Sequence, residues 1–133
     1  ELAMPIQRRQ PEKYKARENV YTQVIQSTGT KTIHIAGTVP MDANNVPFTG
    51  SLAKQTEMVW KNIAISLEEF GALPSDIVRI NQYTTNMDAY LNNGIDQMDD
   101  FFGTHKPTST LVEVRRLVHP EWKIEIEATA ILD

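Results

Sequence analysis

Glu125 and Glu127 stand two residues apart in the alternating stretch Ile124-Glu125-Ile126-Glu127-Ala128. On a strand, that spacing points both carboxylates to one side, ~7 Å apart. Crowded carboxylates can hold one proton between them. A carboxyl whose pKa is raised towards neutrality by burial can activate water or pass a proton during hydrolysis. A plain cross-strand ion pair competes with this reading. If the segments Ser109 to Val118 and Trp122 to Leu132 form a hairpin, Arg115 falls opposite Glu125 and neutralises it.

Other chemistries find little to work with. His34, His105 and His119 lack the i,i+4 spacing that places two metal ligands on one helix face. With no cysteine in the chain, thiolate nucleophiles, disulfides and Cys-ligated metals are excluded. No glycine-rich phosphate loop, G-x-S-x-G elbow or strand-borne aromatic set for stacking RNA bases is found. Thirteen Lys and Arg against seventeen Asp and Glu give a net charge of −4. That balance disfavours nucleic acid as a partner. The early basic cluster of Arg8, Arg9, Lys13, Lys15 and Arg17 reads as a solvated arm. No apolar run reaches the ~18 residues of a membrane span, and no secretory signal is evident, so a cytoplasmic protein is expected.

The carboxylates need elements to position them. Residues 1–18 read as the arm, with Glu1-Leu2-Ala3 before Met4 as a possible cloning remnant, and residues 19–133 as one domain. Val20 to Gln26 and Lys31 to Gly37 read as a hairpin around the turn 27–30. Residues 38–50, with two prolines and two asparagines, form a loop. From Ser51, the apolar residues Leu52, Val59, Ile63, Leu67 and Phe70 recur at helical spacing until Gly71 stops them. Ile77 to Thr85 is a strand. Asn86 or Asp88 caps a second helix carrying Leu91, Ile95, Met98 and Phe102 on one face, and Gly103 ends it. The closing hairpin aligns Val112 and Val114 with Ile126 and Ala128. The fold class is α+β, in the order ββαβαββ, with two helices on one face of the sheet.

Several segments together resemble the YjgF/Rid family of reactive-intermediate (enamine/imine) deaminases. They are Ala36-Gly37-Thr38-Val39-Pro40, Gln55 through Asn62-Ile63, Leu67 to Gly71, Asp76-Ile77-Val78, Met87-Asp88, Pro107, Val112-Glu113-Val114, Leu117 and Ile124 to Ala128. The similarity runs from about Asn19 to Leu132. It implies a chorismate-mutase-like fold, a homotrimer with a small-molecule cleft at each subunit interface, and no cofactor. Active members grip the substrate carboxylate with an arginine near the start of the fourth strand and position water with a glutamate in the last strand. Glu125 matches that glutamate, whereas Ser109, two residues after Pro107, stands where the arginine is expected.

The chain therefore resembles an arginine-less branch of the family. Tyr21 and Gly37 are retained, as a cleft wall and a backbone contact to ligand or water. Asn19-Val20 replaces the family's Gly-Pro, and Ala36 its serine. An arginine–carboxylate contact is strong and serine carries no charge, so imino-acid binding should fall about tenfold or more. Arg79, Arg115 and Arg116 are the cations available to compensate. Two functions remain open: hydrolysis of a small imine, enamine or related metabolite with Glu125 as base, or metabolite binding without catalysis. Ribonuclease activity is disfavoured by the acidic charge.

Overall fold

The computed structural model describes residues 6–14 and 20–133. Lys15 and Arg17 of the basic cluster lie outside them. The elements in chain order are β1 (Ile6–Arg9), β2 (Val24–Ser27), β3 (Lys31–Thr38), α1 (Leu52–Glu68), β4 (Ile77–Thr84), α2 (Met87–Asn93), α3 (Gln97–Phe102), β5 (Thr108–Glu113) and β6 (Ile124–Leu132). A single 3-10 turn, Pro74–Asp76, precedes β4. The expected α+β class holds, with one further strand at the start and the second helix divided in two.

Helix α1 follows from its sequence. The Ser51 hydroxyl accepts from the Lys54 N–H at 3.2 Å and caps the start, while Leu52, Val59, Trp60, Ile63 and Leu67 are buried. Gly71 adopts φ +70°, the left-handed conformation glycine tolerates, and the Ala72 N–H reaches back to the Leu67 carbonyl at 3.0 Å. Phe70, expected on the buried stripe, lies past the end of α1 within this closing turn and is 71% exposed. Asn86, not Asp88, caps α2, accepting from Ala89 N–H at 3.1 Å. The break before α3 centres on Gly94. A Cβ there would lie 2.7 Å from the Tyr90 ring and 3.2 Å from Thr56 Oγ1, so glycine permits the close approach to α1. Leu91, expected on the apolar face, is 45% exposed.

The strand pairing departs from both expected hairpins. The order is β3-β6-β4-β5 in a four-stranded sheet, with β1-β2 as a separate pair. β6 inserts antiparallel between β3 and β4, and β5 joins β4 in parallel. Parallel neighbours need a long crossover, which α2 and α3 supply. β5 ends at Glu113 and not at Val118 because β4 has run out of partners: the last contact is Val114 N–H to the Thr84 carbonyl at 2.8 Å. Val112 consequently faces Tyr83, not Ile126.

At the other end, Gly29 lies against β6, where a Cβ would be 2.5 Å from the Ile131 side chain. β3 pairs with β6, and β2 pairs with β1. β1 itself corrects the solvated arm. Ile6 is buried, and Arg8 donates to the carbonyls of Ser75 at 2.8 Å and Lys106 at 3.2 Å.

One face of the large sheet packs on the helices. Ile77, Ile80, Ile124, Ile126 and Ala130 are fully buried there, each worth about 1.5–3 kcal/mol for an aliphatic side chain larger than alanine. The opposite face is polar. It carries Arg79, Asn81 and Tyr83 from β4 and Glu125, Glu127 and Thr129 from β6, in register across the strand pair. Among the described residues, no helix is long and apolar enough to cross a membrane.

Candidate functional site

The polar face holds the two carboxylates in unlike surroundings. Glu127 accepts from Tyr83 Oη at 2.7 Å and Asn81 Nδ2 at 2.9 Å. The Tyr83 bond, then the Asn81 bond and the nearby Arg79 charge, hold its carboxyl below the ordinary carboxylate range, although partial burial pulls the other way. The same contact raises the Tyr83 phenol. Glu125 is pushed up, first by burial and then by the Glu127 charge. The two environments push the carboxyls apart, Glu127 towards its ionised form and Glu125 towards binding a proton.

A bulge sets the approach to Glu125. Ile35 pairs with Ala128 and Thr38 with Ile126, so β3 spends one residue more than β6 across Ala36-Gly37. There the Gly37 backbone comes against Glu125, and a Cβ at this position would lie 1.9 Å from Oε2. Asn62 of α1 fastens the following loop by donating to the carbonyls of Val39 at 3.1 Å and Met41 at 2.9 Å. A cavity of about 340 Å³ opens over His34, Arg79, Asn81 and Glu127. Another, of about 410 Å³, runs beside Gly37, Thr38, Val39 and Asn62.

Tyr21 and Ser109 lie together elsewhere. Ser109 pairs with Ile80, a residue buried beneath the helices, and so faces away from Glu125, whose register partner is Tyr83. Its Oγ accepts from Gln82 Nε2 at 2.9 Å. Gln10 Nε2 holds the Tyr21 carbonyl at 2.8 Å, and Thr22 N–H bonds to the Pro107 carbonyl at 3.0 Å, bringing Tyr21 to the start of β5. Tyr21 and Ser109 line one cavity of about 280 Å³. The chain therefore joins Gly37 to Glu125 and Tyr21 to Ser109, on opposite sides of the sheet.

The expected pairing of Arg115 with Glu125 is overturned. β4 separates β5 from β6, and Arg115 lies beyond β5 and is exposed. Arg116 is engaged with the carbonyls of Leu117 and Val118, and Arg79 stands beside Glu127. None of the three lines the Ser109 cavity. Sequence reasoning missed Asn81, Tyr83, Gln82 and Tyr90. The polar residue Gln82 in the buried phase of a strand was the available signal, since such groups persist only when hydrogen-bonded.

The sequence matches the family described as Endoribonuclease L-PSP over residues 12–132. The chain belongs to this family, the YjgF/Rid group. A crystal structure of a Rid-family protein of unknown function, YyfB from Yersinia pestis, superposes with a TM-score of 0.89 at 31% identity, covering 97% of this chain and 100% of that one. A RutC family protein of Pyrococcus abyssi is 35% identical over 103 residues, 74% of this chain and 76% of the relative. The 2-iminobutanoate/2-iminopropanoate deaminase of Dermatophagoides farinae is 26% identical over 116 residues, 85% of this chain and 86% of the relative.

Proposed function

We propose that this Rid-family chain is a cytoplasmic homotrimer that hydrolyses a small imine or enamine in a cleft between subunits, with Glu125 as general base. The placement of Glu125 against the Gly37 backbone, beside a Glu127 already held by Tyr83 and Asn81, carries the reading. The placement of Gly37 with Glu125 and of Tyr21 with Ser109 on opposite sides supports the assembly: one subunit holds two halves of a site, and a neighbour can complete each.

In the reaction, Glu125 takes a proton from water as the water oxygen bonds to the imine carbon and the C=N pair moves onto nitrogen. That proton passes to nitrogen. The carbinolamine then expels ammonia as its hydroxyl proton is transferred, leaving a carbonyl product and an ionised Glu125. Gly37 leaves room for the carboxylate to approach the water, and Tyr83 and Asn81 keep the second carboxylate from competing for the proton.

The test is ammonia release from small imines formed in situ, with the unaltered chain and Glu125→Gln compared. General-base loss costs about a hundredfold or more in turnover while ligand affinity persists. Equal turnover by both removes Glu125 from the role. If no compound is converted, the family fold here serves binding alone.

A further inference from the structure

Ser109 is the outer end of a buried hydrogen-bond relay. Tyr90, fully buried, donates its hydroxyl to Gln82 Oε1. Gln82, 1% exposed, donates from Nε2 to Ser109 Oγ at 2.9 Å and to Met98 Sδ at 3.6 Å. Both amide ends of Gln82 are thereby committed, which fixes its orientation. Burial drives the Tyr90 phenol far above its ordinary pKa, so Tyr90 stays protonated and remains the donor.

The consequence falls on Ser109. A hydroxyl has one proton to give, and its oxygen already accepts from Gln82. Among the described residues, the Ser109 proton has no acceptor, and Ser109 lines the cavity shared with Tyr21. Gln82, Val20, Leu91, Ile95 and Leu111 complete the wall, and no charged residue lies in the lining. A carboxylate entering this space would give up hydration for neutral groups alone. An uncharged carbonyl or amide oxygen gives up far less and is matched by the Ser109 hydroxyl.

We infer that the Ser109 cavity selects an uncharged ligand group bearing a hydrogen-bond acceptor, and discriminates against carboxylates. The substrate class is then a neutral imine or carbonyl compound, which rests on the cavity being one half of the proposed cleft. The relay makes Ser109 a specificity-determining donor, where an arginine would have made a carboxylate clamp.

Isobutyramide and isobutyrate have the same number of heavy atoms and the same branching, and differ in charge at pH 7.5. Calorimetric titration of the full chain with each, accompanied by NMR shifts of the Ser109 and Leu111 backbone amides and the Gln82 side-chain amide, reads the preference directly. The expected result is binding of isobutyramide at least about tenfold tighter, about 1.4 kcal/mol, with shifts confined to these residues. Ser109→Arg should reverse the order. Equal or tighter binding of isobutyrate by the unaltered chain overturns the inference, and so does failure of both compounds to shift these signals. Binding is the readout, so a chain that hydrolyses nothing yet prefers the amide keeps this inference and loses only the proposed reaction.

Discussion

Gly37 and Glu125 share a space with room for only one side chain: an ideal Cβ on Gly37 would sit 1.9 Å from Glu125 Oε2 and 2.9 Å from Cδ. The obstructing atoms are the far end of a flexible side chain, and so the carboxylate yields before the backbone does. Gly37→Ala is therefore expected to keep the fold and displace the base. Turnover should drop at least about tenfold, the cost of misplacing a reacting group by about an ångström. A melting temperature within a few degrees of the unaltered chain, measured alongside activity, separates displacement from unfolding. Unchanged turnover would show that the Glu125 position does not matter.

The carboxylate pair makes a directional claim about pH. Glu125 must be ionised to act as base, and its pKa is raised, so activity should rise with pH through a limb above the ordinary carboxylate range. Glu127→Gln removes the negative charge that helps raise it, and the limb should move to lower pH. The same variant tests stability with the opposite sense. The folded pKa of Glu127 is lowered, so its contribution is present above the ordinary carboxylate range and lost as pH falls through the lowered value. Glu127→Gln should lower stability at neutral pH and converge with the unaltered chain in strong acid. Denaturant unfolding at several pH values, with the rate profile, checks both.

Gln82 and Tyr90 form a pair suited to a double-mutant cycle. Gln82→Leu keeps similar volume but strands the Tyr90 hydroxyl in a fully buried place, at a cost of about 1–3 kcal/mol. Tyr90→Phe together with Gln82→Leu removes both members, and part of that cost should return. Strict additivity in urea unfolding would mean the two groups are not coupled.

Assembly is expected from the division of the site. Analytical ultracentrifugation of the chain should give three times its 15.1 kDa mass. Mixing Glu125→Gln subunits with Ser109→Arg subunits should also yield a mixture of clefts with unlike properties if, as proposed, each cleft takes its halves from two neighbours. A monomer independent of concentration would defeat both expectations.

What the sequence determined by itself is local. The period of α1, its Ser51 cap and its Gly71 stop follow from residue types, and the alternation of β6 puts Glu125 and Glu127 on one face whatever their neighbours are. The family resemblance was likewise legible in scattered positions. The strand neighbours were not, because alternation assigns a face without naming a partner, and main-chain hydrogen bonds are alike for any pairing. Loop closure cost grows only slowly with length, so residues 114–123 can carry the chain past β4 instead of turning straight back. That one choice placed Tyr83 rather than Arg115 opposite Glu125, turned Ser109 to the other side, and left the two carboxylates with unlike partners. The proton affinity of a carboxyl depends on such through-space neighbours, so alternation along a strand could not supply it and the tertiary structure had to.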